Sequence, residues 1–520
     1  MQILPYSEEN LASALSNSYT SKEVIASKNH FSYLRAYLNS HEIAAKTIVI
    51  EEEYISKDYL HDYASYYAYC FEEYPKFCKR VHFFDNVFTE DEFKEVILSS
   101  ENDKTEFWNH YLGFIVVKPI PVTVLGYTIL KIYPNSQDFD SRNFWGVRDY
   151  SVHFYGNEIK IKSLAFQEQD SVLAACATTA IWSMLNKAAV DFHTTLKSPS
   201  QITKDADNVS TDGSRLFPNK GLNIIQICQA IFNSGLVSEV KQPDYIVRDE
   251  EGNVIVRYVS HQYLKKLLNA YSPIGIPIIL VIRVPNGGVH GLHAITVSGF
   301  KQNAPVLSEP QEEISWLSDN ITKFYAHDDQ WGPFARVGFA EDAAGLITEW
   351  TLLDAEQQFT YVTHVIVPVY PKIRISYENI EVIVLGLDRI LSSFFDKQII
   401  ADLAWDIKVE FSENVKSQIK NSSLDDTDKV DFLTRSMPKY LWVASCYIST
   451  YKVFDFTFDA TNVSNGMMGT HLICYLPNDI KSFLIEFLKN NEENFHVLFP
   501  HRNSNNYYHF IIEELSKKCN

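Results

Sequence analysis

Tyr59, Tyr63, Tyr66 and Tyr67 recur at three-to-four-residue spacing beside charged neighbours, the pattern of a helix with one buried face. On this pattern the stretch 23–84 reads as helical, an amphipathic layer or lid. After an acidic stretch at 90–104 the pattern changes. The run 111–134 gathers Phe114, Ile115, Val116 and Val117, then Tyr127, Thr128, Ile129 and Leu130, which predicts two short strands. Between 150 and 370, helical spacing comes first, at 177–187, 222–233 and 261–270. Strand-like runs follow at 276–284, 293–300, 324–327 and 361–369. That order predicts an α+β unit with an antiparallel sheet. Beyond Pro371 the pattern predicts a helix at 384–395, a polar segment at 416–429 and strands at 440–451, 453–458 and 471–475. A helix at 480–489 and a last strand-like stretch close the chain. The parts are therefore a helix-rich region with short strands at 1–149, a central unit at 150–370 and a C-terminal α+β unit at 371–520.

Composition narrows the function classes. Of 520 residues, 46% are hydrophobic and 14% aromatic, enough for well-packed cores. Asp and Glu outnumber Lys and Arg, and the net charge of −19 repels nucleic acid and anionic lipid, so neither is an expected partner. The first 32 residues lack the basic start and apolar run of a signal peptide, and no apolar run reaches membrane-spanning length. A cytoplasmic protein is expected. The seven cysteines, Cys70, Cys78, Cys176, Cys228, Cys446, Cys474 and Cys519, are odd in number and widely spread, which predicts reduced thiols rather than a disulfide framework. Cys70, Cys78 and His82 lack the close pairing and fourth ligand of a structural zinc site. They read as core residues, and no metal or cofactor is expected.

One constellation carries chemistry. Cys176 stands where a loop turns into a helix whose buried side is Ile181, Met184 and Leu185, with small Ala175, Ala177 and Ala180 around it. A sulfur there faces the unpaired N–H groups of the first turn. That helix end supplies at most about 2 kcal/mol, so a thiol of ordinary pKa near 8.5 needs a neighbouring imidazolium to be activated at neutral pH. His293 opens the strand-like run His-Ala-Ile-Thr-Val-Ser-Gly, sharing one face with Ile295 and Val297. Asp328 and Asp329 end the next strand before a turn at Gly332, and either carboxylate would orient the imidazole. Alternation from Phe324 through Ala326 favours Asp328.

With its glutamine ahead of the cysteine, the 293–299 run and the Asp-x-x-x-Gly turn, the central region resembles the papain-like cysteine peptidase superfamily. It is closest in type to the bacterial bacteriocin-processing branch. Segments 198–202 and 218–222 support the resemblance, which covers about 150–370. It implies a papain-like thiol-hydrolase domain, with Cys176 as nucleophile, His293 as base and then acid, Asp328 as orienter and Gln169 as oxyanion donor. The substrate would be a peptide or protein, cleaved at a peptide or isopeptide bond through an acyl-enzyme. Gln169 stands seven residues before Cys176, one further than the superfamily's usual spacing, and Gln167 stands nine before it. The wide Cys-to-His and His-to-Asp separations imply insertions around 187–220 and 301–320. The same groups serve acyl transfer to an amine, as in transglutaminase-type relatives. A papain-like binding or scaffold protein without turnover is the alternative from another class. Trp182, Trp331 and Arg336 read as packing or surface residues, His290 and His327 as surface or supporting ones, and nothing in the sequence sets the oligomeric state.

Overall fold

The computed structural model describes residues 1–99, 106–135, 141–170, 175–207, 221–286, 289–304, 314–354, 356, 358–400, 402–463, 468–495 and 504–517. Cys519 and segments 208–220 and 305–313 of the expected insertions lie outside these residues.

The N-terminal region is built on a five-stranded antiparallel sheet: β1 (Gln2–Pro5), β2 (Thr47–Tyr54), β3 (Cys78–Phe84), β4 (Tyr111–Val117) and β5 (Leu125–Leu130), in that spatial order. The expected helical stretch is real at Lys22–Ala26, Asn29–Asn39 and Lys57–Ser65, but β2 and β3 interrupt it. Thr47, Ile48, Val49 and Ile50 are all buried, a β-branched run suited to a strand covered on both faces. Its partners lie more than thirty residues away in the chain, so local periodicity does not reveal it.

The Lys57–Ser65 helix buries Asp62, whose Oδ1 has no hydrogen-bond partner among the described residues. Burial, with Asp170 and Asp58 nearby and Lys118 opposing, pushes this carboxyl up to about 7. Its unfolded value is about 3.9, so the native state loses stability as pH rises from about 4 to about 7. Asp62→Asn is therefore expected to gain on the order of 4 kcal/mol relative to wild type across that window and to stay level above it. Thermal melts at pH 4.5, 6 and 8 check this; a difference independent of pH contradicts it.

The central region adds β6 (Ser141–Asn143), the hairpin β7 (Arg148–Phe154) and β8 (Asn157–Ser163), and helices Cys176–Asp191, Pro199–Ala206 and Ile224–Asn233. Next come β9 (Val237–Lys241), the hairpin β10 (Tyr245–Arg248) and β11 (Val254–Tyr258), and the His261–Tyr271 helix. Strands therefore both precede and interleave the helices, which the expected order missed. The remaining strands are β12 (Ile278–Asn286), β13 (Val289–Gln302), the short β14 (Ser315–Trp316), β15 (Ile321–Asp328), β16 (Gly332–Phe339), β17 (Gly345–Ile347) and β18 (Thr360–Val369). β12, β13, β15, β16, β17 and β18 pair in that order, and β18 returns to β12, closing a six-stranded antiparallel barrel. β9 extends the sheet from β18, and β6 pairs with β13. The Cys176–Asp191 helix lies on β13, where Thr296 Oγ1 donates to the Ala180 carbonyl at 2.9 Å. Ala294, Thr296 and Ser298 are buried, as are Ile295 and Val297 on the other face. A Cβ on Gly299 would stand 2.6 Å from the Phe144 ring, so glycine lets the β6 segment cross here.

The C-terminal region carries the Tyr377–Phe394 helix, β19 (Leu403–Phe411), β20 (Tyr440–Ile448), β21 (Tyr451–Asp459) and β22 (Gly469–Cys474). β14 joins this sheet by a parallel pairing with β19; the other pairings are antiparallel. The polar 416–429 segment spans two short helices, Ser412–Lys420 and Asp426–Thr434, and the final stretch expected as a strand is the helix Ser504–Ser516. The protein is α+β throughout. One hydrophobic core runs from the N-terminal sheet through the barrel into the C-terminal region, and a second joins the N-terminal region to the barrel at Tyr325, Trp331 and Phe334. Among the described residues no helix is long and apolar enough to cross a membrane, and the six described cysteines are free thiols.

Candidate active site

Cys176 is the first residue of its helix and is half-buried. The N-cap is Ala175 in extended conformation, which offers no side-chain acceptor to the first-turn N–H groups. The amides that a Ser or Asp cap would occupy thus stay next to the thiol.

His293 does not open its strand. β13 begins at Val289, so the imidazole is carried mid-strand opposite Ile282 and is only 3% exposed. His293 Nε2–H donates to Asp328 Oδ1 at 2.8 Å. Asp328 Oδ1 also accepts from the Gln330 N–H at 3.1 Å, and Oδ2 accepts from the Trp350 indole at 2.9 Å. β15 keeps its two-residue step from Phe324 through Ala326 to Asp328, and the extra residue at the β15–β16 register shift lies on β16, where the step from Ala335 to Gly332 is three residues. Asp329, also 3% exposed, places Oδ1 3.4 Å from His293 Nε2, and neither of its oxygens has a hydrogen-bond partner among the described residues.

With Nε2 committed to the carboxylates, Nδ1 is the nitrogen left for Cys176, whose thiol is among the groups that raise the His293 pKa. The Ser-His-Asp triad uses its two nitrogens the other way round. Burial alone would strip the proton from His293. The Asp328 charge and hydrogen bond outweigh it, with Cys176 and Asp329 adding to them, and hold the imidazole pKa well above the ordinary histidine value. Burial likewise opposes the Asp328 charge, but His293, Trp350 and the Gln330 amide hold that carboxyl below its usual range. Asp329 goes the other way: burial first, then the charges of Asp328 and Glu168, push it up to about 7 against the pull of His293.

The N-terminal region reaches into this site. His30 Nε2–H donates to the Asp329 carbonyl at 2.8 Å, and Tyr33 Oη–H to the Pro333 carbonyl at 2.6 Å. A Cβ on Gly332 would lie 2.2 Å from the Tyr33 ring, so a glycine is needed for the Asn29–Asn39 helix to seat against the turn. The 167–170 segment that leads toward Cys176 is tied in as well. Glu168 binds Lys28 Nζ and accepts from the Leu125 N–H at 3.1 Å. Gln169 is half-buried there, and the fully buried Gln167 has an unpartnered Nε2 among the described residues.

Among the described residues, His293, Asp328 and Asp329 are the one group of potential metal ligands whose donor atoms converge, within 4.8 Å of one another. The 2.8 Å Nε2–Oδ1 separation is that of a shared proton, shorter than two tetrahedral ligand atoms at zinc distances allow. The C-x7-C-x3-H residues do not converge: His82 contacts Tyr111 and Glu51, Cys78 is buried and Cys70 approaches the Tyr66 carbonyl.

Trp350 is a site residue that the sequence reading missed. It supplies a hydrogen bond to Asp328 and sets its ring edge-on to His293 at 5.7 Å, from a five-residue helix twenty-two positions beyond its partner. Trp331 packs edge-on against Trp350, Trp182 is core, and Arg336 pairs with Glu42. His327 is buried, donating from Nε2 to the Leu164 carbonyl and accepting the Phe334 N–H at Nδ1, which fixes it neutral; burial holds its pKa near 4. Trp350→Phe keeps most of the ring packing but leaves Asp328 Oδ2 without its donor. It is expected to cost about 1–3 kcal/mol in thermal or urea unfolding; an unchanged stability contradicts the role.

No family model matches the chain, and no curated protein matches it.

Proposed function

We propose that the protein is a papain-like thiol hydrolase that cleaves a peptide or isopeptide bond through an acyl-enzyme on Cys176. The observation that carries this is the chain Cys176–His293–Asp328, with the thiol at an uncapped helix start and a buried imidazole held protonated by a buried carboxylate. In cysteine hydrolases such a pair reacts with the sulfur as thiolate and the histidine as imidazolium. Sγ attacks the carbonyl carbon, and the oxyanion collects the helix-start amides and a glutamine amide from the 167–169 stretch, Gln169 by its resemblance. Collapse of the tetrahedral adduct breaks the C–N bond as His293 gives its proton to the leaving amine. The neutral imidazole then takes a proton from water, whose oxygen attacks the thioester and releases the acid and the thiolate. An amine in place of that water would give acyl transfer with the same groups.

The scaffold reading requires an unreactive thiol. The half-exposure of Cys176 beside a charged imidazole favours turnover instead. Hydrolysis of a fluorogenic peptide and isopeptide library by wild type and Cys176→Ala tests the proposal.

A further inference from the structure

We propose that Asp329 is a second positioning carboxylate for His293, tuned by Glu168, so that the N-terminal region forms part of the site. This rests on the thiol-hydrolase reading and extends it, because that reading uses one carboxylate only.

The geometry is a buried chain. Asp329 Oδ1 lies 3.4 Å from His293 Nε2, on the same side of the ring as Asp328. Both Asp329 oxygens are otherwise unpartnered among the described residues, a costly state for a carboxylate only 3% exposed, and one that an ordinary turn-forming Asp does not need. Its backbone is pinned by His30, whose Nδ1 lies 3.7 Å from Glu168 Oε1. Glu168 is buried, bonded to Leu125 of the N-terminal sheet and to Lys28, which immediately precedes the Asn29–Asn39 helix and also donates to the Val122 carbonyl at 2.6 Å. One helix start thus grips both the stretch leading toward Cys176 and the turn that bears the carboxylates.

The charged groups around Asp329 fix the sign of its effect. His293 faces it from β13 and favours its ionised form. Asp328 on the same turn and Glu168 from the 167–170 stretch oppose that form, with Lys28 behind Glu168 and His30 on the carbonyl; Glu349 faces Asp328 from the Trp350 helix. Ionisation near pH 7 places a second negative charge beside Nε2, which strengthens the imidazolium and with it the thiolate. Below that pH the second carboxyl is neutral and Asp328 acts alone.

The test is the rate of Cys176 alkylation by iodoacetamide on the full chain from pH 5 to 9, read by peptide mass spectrometry in wild type, Asp329→Asn and Glu168→Gln. Wild type is expected to show a low-pH plateau and then a roughly three- to tenfold rise centred near pH 7. Asp329→Asn should keep the plateau and lose the rise. Glu168→Gln removes a negative neighbour, so its rise should remain but move to lower pH by roughly half a unit or more. A rise that persists in Asp329→Asn overturns the proposal. So does a Glu168→Gln profile that is slower at every pH without moving, the result of a merely structural role; this second variant decides the matter alone if Asp329→Asn does not fold. A wild-type profile without any low-pH plateau, identical to that of His293→Ala, overturns the thiol-hydrolase reading and this proposal with it.

Discussion

Cys176→Ala is expected to abolish hydrolysis of any peptide or isopeptide substrate that wild type turns over, while the variant unfolds within a few degrees of wild type. The loss should reach at least about 10³-fold, because without the nucleophile only substrate binding and the oxyanion donors remain. Stability is spared for local reasons. Cys176 is half-buried at the first helical position, and alanine is the best helix former and fits among Ala175, Ala177 and Ala180. Chromatography-purified variant showing wild-type turnover would remove Cys176 from the mechanism, and an unfolded variant would show that the thiol is part of the core.

His293→Ala is expected to cut turnover by about 10²–10⁴-fold and, unlike Cys176→Ala, to damage the fold. It leaves Asp328 and Asp329 buried without their common counter-charge, a loss on the order of 3–5 kcal/mol. The pH dependence follows from the two shifts. His293 is raised, so its contribution is complete below the unfolded histidine value near 6.5 and fades only as pH climbs through its much higher native pKa. Asp328 is lowered, so its contribution is complete above about 4 and fades as pH falls through its native pKa. The variant's deficit in melting temperature should therefore be widest between about pH 5 and 8 and shrink under acid conditions. A deficit constant from pH 3 to 8 would show that lost packing, not lost charge pairing, destabilises it.

How much of this was legible in the chain depended on the range of the interactions. The Cys176 helix and strands β12, β13, β15 and β18 follow from local periodicity, because each buries residues at its own repeat. β2 was hidden because an apolar β-branched run declares itself a strand only through partners far along the chain. The last helix was hidden for the opposite reason. Tyr507, Tyr508, Phe510, Ile511 and Ile512 are strong strand formers, yet Tyr507, Tyr508, Ile511 and Leu515 are buried at helical spacing, and tertiary packing overrides propensity. In the site, Cys176, His293 and Asp328 were visible as residue types in order on recognisable elements. Asp328 was preferred on strand alternation, and β15 keeps that two-residue step through Asp328, the extra residue of the register shift lying on β16. Trp350, His30 and Glu168 reach the site from three separate stretches of chain, and no local pattern in their neighbourhoods marks them.

The central claim is an activated thiol at Cys176, and the most direct measurement is its iodoacetamide alkylation rate at pH 6 against the other half-buried thiols of the same chain. Cys70, Cys228 and Cys474 share its degree of exposure and serve as internal controls, with burial pushing the Cys228 thiol up. Cys176 is predicted to react at least about tenfold faster than all three in wild type and to fall to their level in His293→Ala. Equal labelling of the four thiols in wild type, or a Cys176 rate that His293→Ala leaves unchanged, would contradict the account.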